Sequence, residues 1–504
     1  MWAIIPDKER RFILLFFSNI EILLLLMSLI FIHYLMAFDW LVNNWFPTLS
    51  KFTTANGIPS KTWSYIFSLT VITYPIFKVS FGYFSDSRVK DLINLYKRLI
   101  SEKEISLLIT YINKYHIKDI KKYLENISVD IPQDEVNTSN KFGAKTTKKK
   151  RRSHDIKRDK FASWVYIKIF QNEAFVLKAA NDHPKLFAKA FKGMKTPKAS
   201  NNRLVKHYFE CLFNSKNLQF VNELRIFDEH DKSILELIRI KKVPILYSTL
   251  LYPKVAAANG IWFPIGEGGI KSLKYEEEQR EFLRKEYDPD LVAEVKNQKI
   301  YIAVTFFDAM VRESIHRDSG SHMWLAYFKS FADCLIGIIP VSNEYDESKA
   351  NPSFVYYIIS RQFEVMIGWL QLAKNLNTDR RVVDTIRSLG WCLNSISVAD
   401  DAKIPAKFLN GIIDSILTIY FEFSKHPENK ATISARNWIE KMFNNPKHVD
   451  FGAPSVTQKY LTALENAWGG FDSYYYRGDE DNGSIERFDQ KVLSPLGLTN
   501  NHIS

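Results

Sequence analysis

Glu21 and Lys78 are the two side chains whose placement most invites chemistry, because each is an ionisable group set inside a long apolar run. Isolating either charge in hydrocarbon costs several kcal/mol, so such groups pair, line a water-filled path, or reach back to the headgroups. Ser18, Glu21, Leu25 and Ser28 follow one another at steps of three and four, which puts them on one helical face. Ser64, Ser68, Val71, Pro75, Lys78 and Gly82 do the same in the second run. Small and polar stripes of this kind let membrane helices approach closely. Counted from the inner ends of the two runs, Glu21 stands about 13.5 Å deep and Lys78 about 9 Å. The lean of side chains toward the helix N-terminus aims the two heads at each other. The expected arrangement is a Glu21 to Lys78 pair, within one hairpin or between subunits. Lys78 snorkelling to the headgroups and Glu21 lining an ion or proton path are the alternatives.

Other constellations fall short of a reaction. Asp290, Glu294 and Lys296 loosely resemble the carboxylate, carboxylate and lysine set of restriction-type nucleases, but a gap of four residues between the acids is too short and no strand carries the lysine. Residues 478–489 mimic a calcium loop at Asn482 and Gly483, yet Gly478 stands where the first acid is required. The histidines are scattered, and His316 and His322 straddle Gly320, so no zinc-binding helical face exists. Asp308, Arg312, Glu313 and His316 share one helical neighbourhood and suggest a structural ion network. No cysteine stands beside a credible base, and Cys211, Cys334 and Cys392 are too far apart for a thiolate metal site. Gly260 to Ile270, GIWFPIGEGGI, reads as an aromatic and glycine-rich loop, without the Lys-Ser/Thr or Rossmann spacing of a phosphate cradle. No cofactor and no metal is implied.

The elements that hold Glu21 and Lys78 are two runs of 23 residues, Phe12 to Tyr34 and Thr62 to Phe84. Each as a helix reaches about 35 Å, enough to cross a hydrocarbon core of about 30 Å with tilt. Lys8, Arg10 and Arg11 precede the first run, and Arg88, Lys90, Lys97, Arg98 and Lys103 follow the second, while the connection holds only Lys51 and Lys61. By the positive-inside rule both ends are cytoplasmic, and the first run is too long for a cleaved signal. Trp40, Trp45, Phe46 and Trp63 suit an outer aromatic belt.

Beyond the hairpin, 12–84, and its short cytosolic lead, 1–11, amphipathic patterns predict juxtamembrane helices over 85–131. A basic linker follows over 132–160. Net charge is +12, but Lys141 to Lys160 carries ten Lys/Arg against two Asp, so one short patch supplies eight of the twelve. The run Lys148, Lys149, Lys150, Arg151 and Arg152 suits anionic lipid headgroups. A charge excess confined to one linker argues against nucleic acid as a partner, which asks for a folded basic face. From 161 to 470 helical periods recur with short breaks, as in Val355, Ile358, Ile359, Phe363, Met366 and Leu370 behind Asn351 and Pro352. Lys299 to Phe307, KIYIAVTFF, could equally be a strand. The tail, 471–504, carries Tyr474, Tyr475 and Tyr476.

The expected fold is all-α, a two-helix transmembrane hairpin followed by a large cytosolic helical domain, an irregular bundle or α-solenoid. The expected role is a membrane-anchored sensor or scaffold in the plasma or inner membrane. It would contact membrane lipids, self-associate into a homo-oligomer and engage an unidentified cytosolic protein or ligand. An oligomeric pore lined by Glu21 is the alternative, and a tethered nuclease using Asp290, Glu294 and Lys296 a third.

Overall fold

Ser18 decides where the first helix begins. Its Oγ accepts from the Glu21 backbone N–H at 3.2 Å, and Glu21 Oε2 accepts from the Ser18 N–H at 2.7 Å, a reciprocal capping box. Helix α1 therefore runs Asn19–Asn43, not from Phe12. The computed structural model describes residues 12–46, 59–80, 86–126, 160–191, 199–230, 232–240, 243–250, 253–317, 323–340, 351–379, 381–450, 455–471 and 483–498. Among these the fold is all-helical, with one isolated bridge, Glu286 to Ser353, as its only extended pairing. They fall into two compact units, one reaching residue 178 and the other beginning at 179.

In the first unit α1 and α2 (Ser60–Ser80) lie antiparallel. Phe31 meets Phe67 edge-on at 5.6 Å, and at the far end Asp39 accepts from Ser60 Oγ at 3.4 Å, with Lys61 3.9 Å away. Of the two, α1 alone is long and apolar enough to cross a membrane, with a mean hydropathy of 2.2 over its best stretch. Segment 12–17 turns back instead of extending α1. Phe12 stacks on Tyr111 at 3.7 Å and Phe16 sits edge-on to Tyr115 at 5.2 Å. Tyr111 ends α4 (Ile105–Tyr111) and Tyr115 lies in the π-helical turn Ile112–His116 that leads into α5 (Ile117–Asn126); together with α3 (Val89–Ser101) these helices bury Leu92, Leu99, Leu108 and Ile120. The basic linker up to residue 159 lies outside the described residues, as do Gly82 and the Tyr474 to Tyr476 run.

The second unit is an irregular bundle. Its helices include α6 (Ala199–Asn214), α7 (Leu218–His230), α8 (Pro244–Leu250), α9 (Trp262–Tyr275), α10 (Glu277–Arg284), α11 (Lys299–His316), α12 (Ala326–Ile338), α13 (Phe354–Asn375), α14 (Val382–Ser397), α15 (Ala406–Ser424) and α16 (Lys430–Asn444). α13 packs against α10, α11, α12, α14, α15 and α16. In a solenoid each repeat touches only its neighbours, so this is bundle geometry. α13 starts after Ser353, two residues later than the Asn351 cap suggests, and α15 is capped by Pro405.

Two local expectations are corrected. Lys299 to Phe307 is helix, not strand: it opens α11, which is buried on every side from Ile300 to Val311 and so shows no polar face to reveal a helical period. Gly260 to Ile270 is not a loop beyond Ile261, because Trp262 onward forms α9. Its glycines serve packing. A Cβ on Gly266 would lie 2.6 Å from the Tyr327 ring, and one on Gly268 2.5 Å from Phe213. Both rings rest directly on the backbone of α9. Gly266→Ala and Gly268→Ala are each expected to destabilise by about 1–3 kcal/mol through overpacking, although alanine is the better helix former. Thermal unfolding followed by circular dichroism should show a lower midpoint for both; an unchanged or raised midpoint would contradict the packing assignment.

Candidate functional site

Glu21 gathers the polar groups of the hairpin onto one carboxylate. Oε2 takes the Ser18 N–H and, at 2.9 Å, the Ser18 hydroxyl. Oε1 takes Lys78 Nζ in an ion pair and the Tyr74 hydroxyl at 2.7 Å. Lys78 also lies over the rings of Phe17 and Tyr74, at 5.3 and 5.8 Å. The structure thus brings Ser18, Glu21 and Lys78 together within a single chain, at the first turn of α1 and the last of α2. The depth of 13.5 Å inferred for Glu21 from a helix beginning at Phe12 does not hold, since its helix starts two residues before it.

The remaining stripe residues do not join this cluster. Ser28 Oγ donates to Leu24 O at 2.7 Å, buried Ser64 donates to Lys61 O at 2.7 Å, and Ser68 is half-buried. Arg88 was counted only as an inside charge, but it fastens the base of α1, donating to Phe17 O at 3.3 Å and to the Asn19 side chain. Lys148, Lys149, Lys150, Arg151 and Arg152 lie outside the described residues.

A second polar centre lies inside the second unit. Asp228 accepts from Lys296 Nζ at 2.8 Å, Tyr301 Oη at 2.8 Å and Arg361 Nη2 at 2.7 Å. Burial pushes the Asp228 carboxyl up, but the Lys296 hydrogen bond and the Arg361 charge outweigh it and hold it below the usual range. Asp308 accepts from Arg312 Nε and Trp369 Nε1, both at 2.7 Å, and its burial keeps its pKa raised. Glu313 accepts from the Ile234 N–H and from Arg317. His316 is exposed and takes no part in this group. The nuclease constellation does not assemble: Lys296 binds Asp228, while Asp290 and Glu294 are exposed. A cavity beside Asp228, bordered by Arg225, Lys296, Tyr301 and Thr305, has room for about one water molecule and none for a substrate. Among the described residues no group of three His, Cys, Asp or Glu is placed to hold a metal.

One pairing escaped sequence reasoning although its spacing was visible. His207 and Cys211 stand four apart on α6, with Sγ 3.4 Å from Nε2, so a cysteine does have an imidazole beside it. The thiol is only 4% exposed, which closes it to substrates. No protein-family model, no curated protein and no solved structure matches this chain.

Two outcomes test these assignments. Lys78→Met leaves Glu21 without its counter-charge and is expected to destabilise the hairpin by about 1–3 kcal/mol, whereas adding Glu21→Gln should restore part of the loss. Unfolding in graded detergent mixtures reads this; equal single and double losses would mean the pair is uncoupled. Glu223, fully buried, accepts from the Ile245 and Leu246 N–H groups and from Gln219 Nε2. Burial outweighs those bonds and raises its pKa from 4.5 to about 7. A raised folded pKa favours the protonated form, so the stability it contributes is complete below pH 4.5 and is lost as pH climbs through about 7. The difference in unfolding free energy between the wild type and Glu223→Gln should therefore shift against the wild type by roughly 3 kcal/mol across that window. A pH-independent difference would refute it.

Proposed function

We propose that this chain is a membrane-anchored helical protein whose hairpin, α1 and α2, crosses a bilayer. In this reading both ends and the large helical unit lie on the cytoplasmic side, where that unit works through protein partners and self-association as a sensor or scaffold. The observation that carries the reading is the outer surface of the hairpin. Ile20, Leu24, Ile30, Leu69, Ile72 and Ile76 are each between 59 and 71% exposed, and similar residues ring both helices. A soluble chain rarely leaves so continuous an apolar surface uncovered, whereas lipid tails match it. The exposed hydroxyls within this belt are satisfied by their own helix, Thr70 donating to Ile66 O and Thr73 to Leu69 O.

α2 reaches a lower mean hydropathy because polar residues stand on both of its faces: Ser64, Ser68 and Lys78 on the side of α1, and Thr70 and Thr73 among the exposed apolar residues. The cationic residues on either side of the hairpin support a cytoplasmic orientation, and the Lys148 to Arg152 run would add about 1 kcal/mol per charge on an anionic leaflet. The pore reading draws no support from the geometry, since both oxygens of Glu21 are engaged inside one hairpin.

The expected outcome is that the full-length chain resists alkaline carbonate extraction and that a tag after Gly470 survives protease applied to intact cells. Release into the soluble fraction, or digestion of the tag from outside, would overturn the proposal.

A further inference from the structure

His33 is a polar group on the apolar belt that the fold leaves unanswered. It is exposed, it lies between the Glu21 and Asp39 ends of α1, and no described residue bonds it. Its helix turns two separate heptad seams outward from the axis. One, Glu21, Leu25, Ser28, Ile32 and Leu35, faces α2. The other, one residue on, is Leu26, Leu29, His33, Met36 and Trp40, spaced three, four, three and four, and all of it is exposed. One residue is about 100° around a helix, close to the angle between the two neighbours of any helix in a four-helix bundle. On α2 the corresponding shift gives Tyr65, Leu69, Ile72 and Ile76, likewise exposed. Because the helices are antiparallel, the two outer seams fall on the same flank of the hairpin. A heptad seam with one polar position is the device by which helices fix register and copy number.

We propose that a second copy of this chain covers that flank, forming a two-fold four-helix bundle in which His33 of each copy bonds Tyr65 of the other. The inference rests on the membrane reading above. A two-fold axis along the bilayer normal sets α1 of one copy against α2 of the other at unchanged depth. Register within the hairpin pairs Phe31 with Phe67 and Asp39 with Ser60 and Lys61, which puts His33 level with Tyr65. A neutral imidazole offers an acceptor nitrogen to a phenol O–H, so the pairing satisfies both groups away from water. Lipid tails offer neither partner, which is why intramembrane histidines are found facing protein.

The test uses full-length chains in native membranes. Two differently tagged copies, one His33→Cys and one Tyr65→Cys, are co-expressed and oxidised. A disulfide-linked heterodimer is expected, with none when Met27→Cys, on the other flank, replaces the His33 variant. In liposomes, energy transfer between copies labelled at their C-termini should report His33→Leu and Tyr65→Phe each weakening association about three- to tenfold. The double variant should be no weaker than either alone. Absence of the 33 to 65 adduct, an equal yield from the Met27 control, or singles that multiply in the double would overturn the proposal and leave the flank to lipid or to another contact. Carbonate extraction of the wild type run in parallel separates the two levels: a chain that stays in the membrane without the adduct fails this inference alone, and a chain that is released fails both.

Discussion

The first unit hangs on how one carboxylate is satisfied. Glu21 receives donors from its own helix start on one oxygen and from the neighbouring helix on the other. The capping half fixes where α1 begins, and the ion-pair half fixes how far along α2 slides against it. With both ends tied, the chain before Ser18 has no helix to continue, so Phe12 to Phe17 is free to turn and bury its rings against Tyr111 and Tyr115. A residue that at first sight promises transport chemistry therefore acts as a joint, coupling the hairpin to the helices α3 to α5 that follow it.

The second unit applies the same principle. Glu223 and Glu313 accept backbone N–H groups of neighbouring helices, Asp228 binds Arg361 from a helix distant in sequence, and Asp308 binds Arg312 of its own helix and the indole N–H of distant Trp369. Burying carboxylates in this way rarely adds net stability over an apolar core, but an incorrect packing would strand a charge at a cost of several kcal/mol. Such groups select one arrangement among the many that apolar helices of similar length would tolerate. This matters in a bundle whose central helix touches six others.

What the sequence discloses follows how local the signal is. The all-helical class and the facing of Glu21 toward Lys78 were legible, because both rest on periods of three and four residues. The start of α1 was legible too, in the Ser18 to Glu21 capping spacing, but the unbroken apolar run masked it. Lys299 to Phe307 was not, since a helix buried all round carries no amphipathic period. The glycines of α9 looked like a loop because glycine marks both turns and close ring contacts, and only the Tyr327 and Phe213 rings distinguish the two. The partners of Asp228 had no signal at all: Arg361 is 133 positions away and nothing local ties them.

That separation bears on how the chain comes into being. At a synthesis rate of about 5–20 residues per second, Asp228 leaves the ribosome on the order of ten seconds before Arg361 does. For that interval the acid on α7 lacks its full set of partners: Lys296 arrives about midway and Arg361 last, so the site cannot be completed before α13 is made. By then α1 and α2 have long emerged, so the order of translation favours pairing of the hairpin first and closure of the large bundle last.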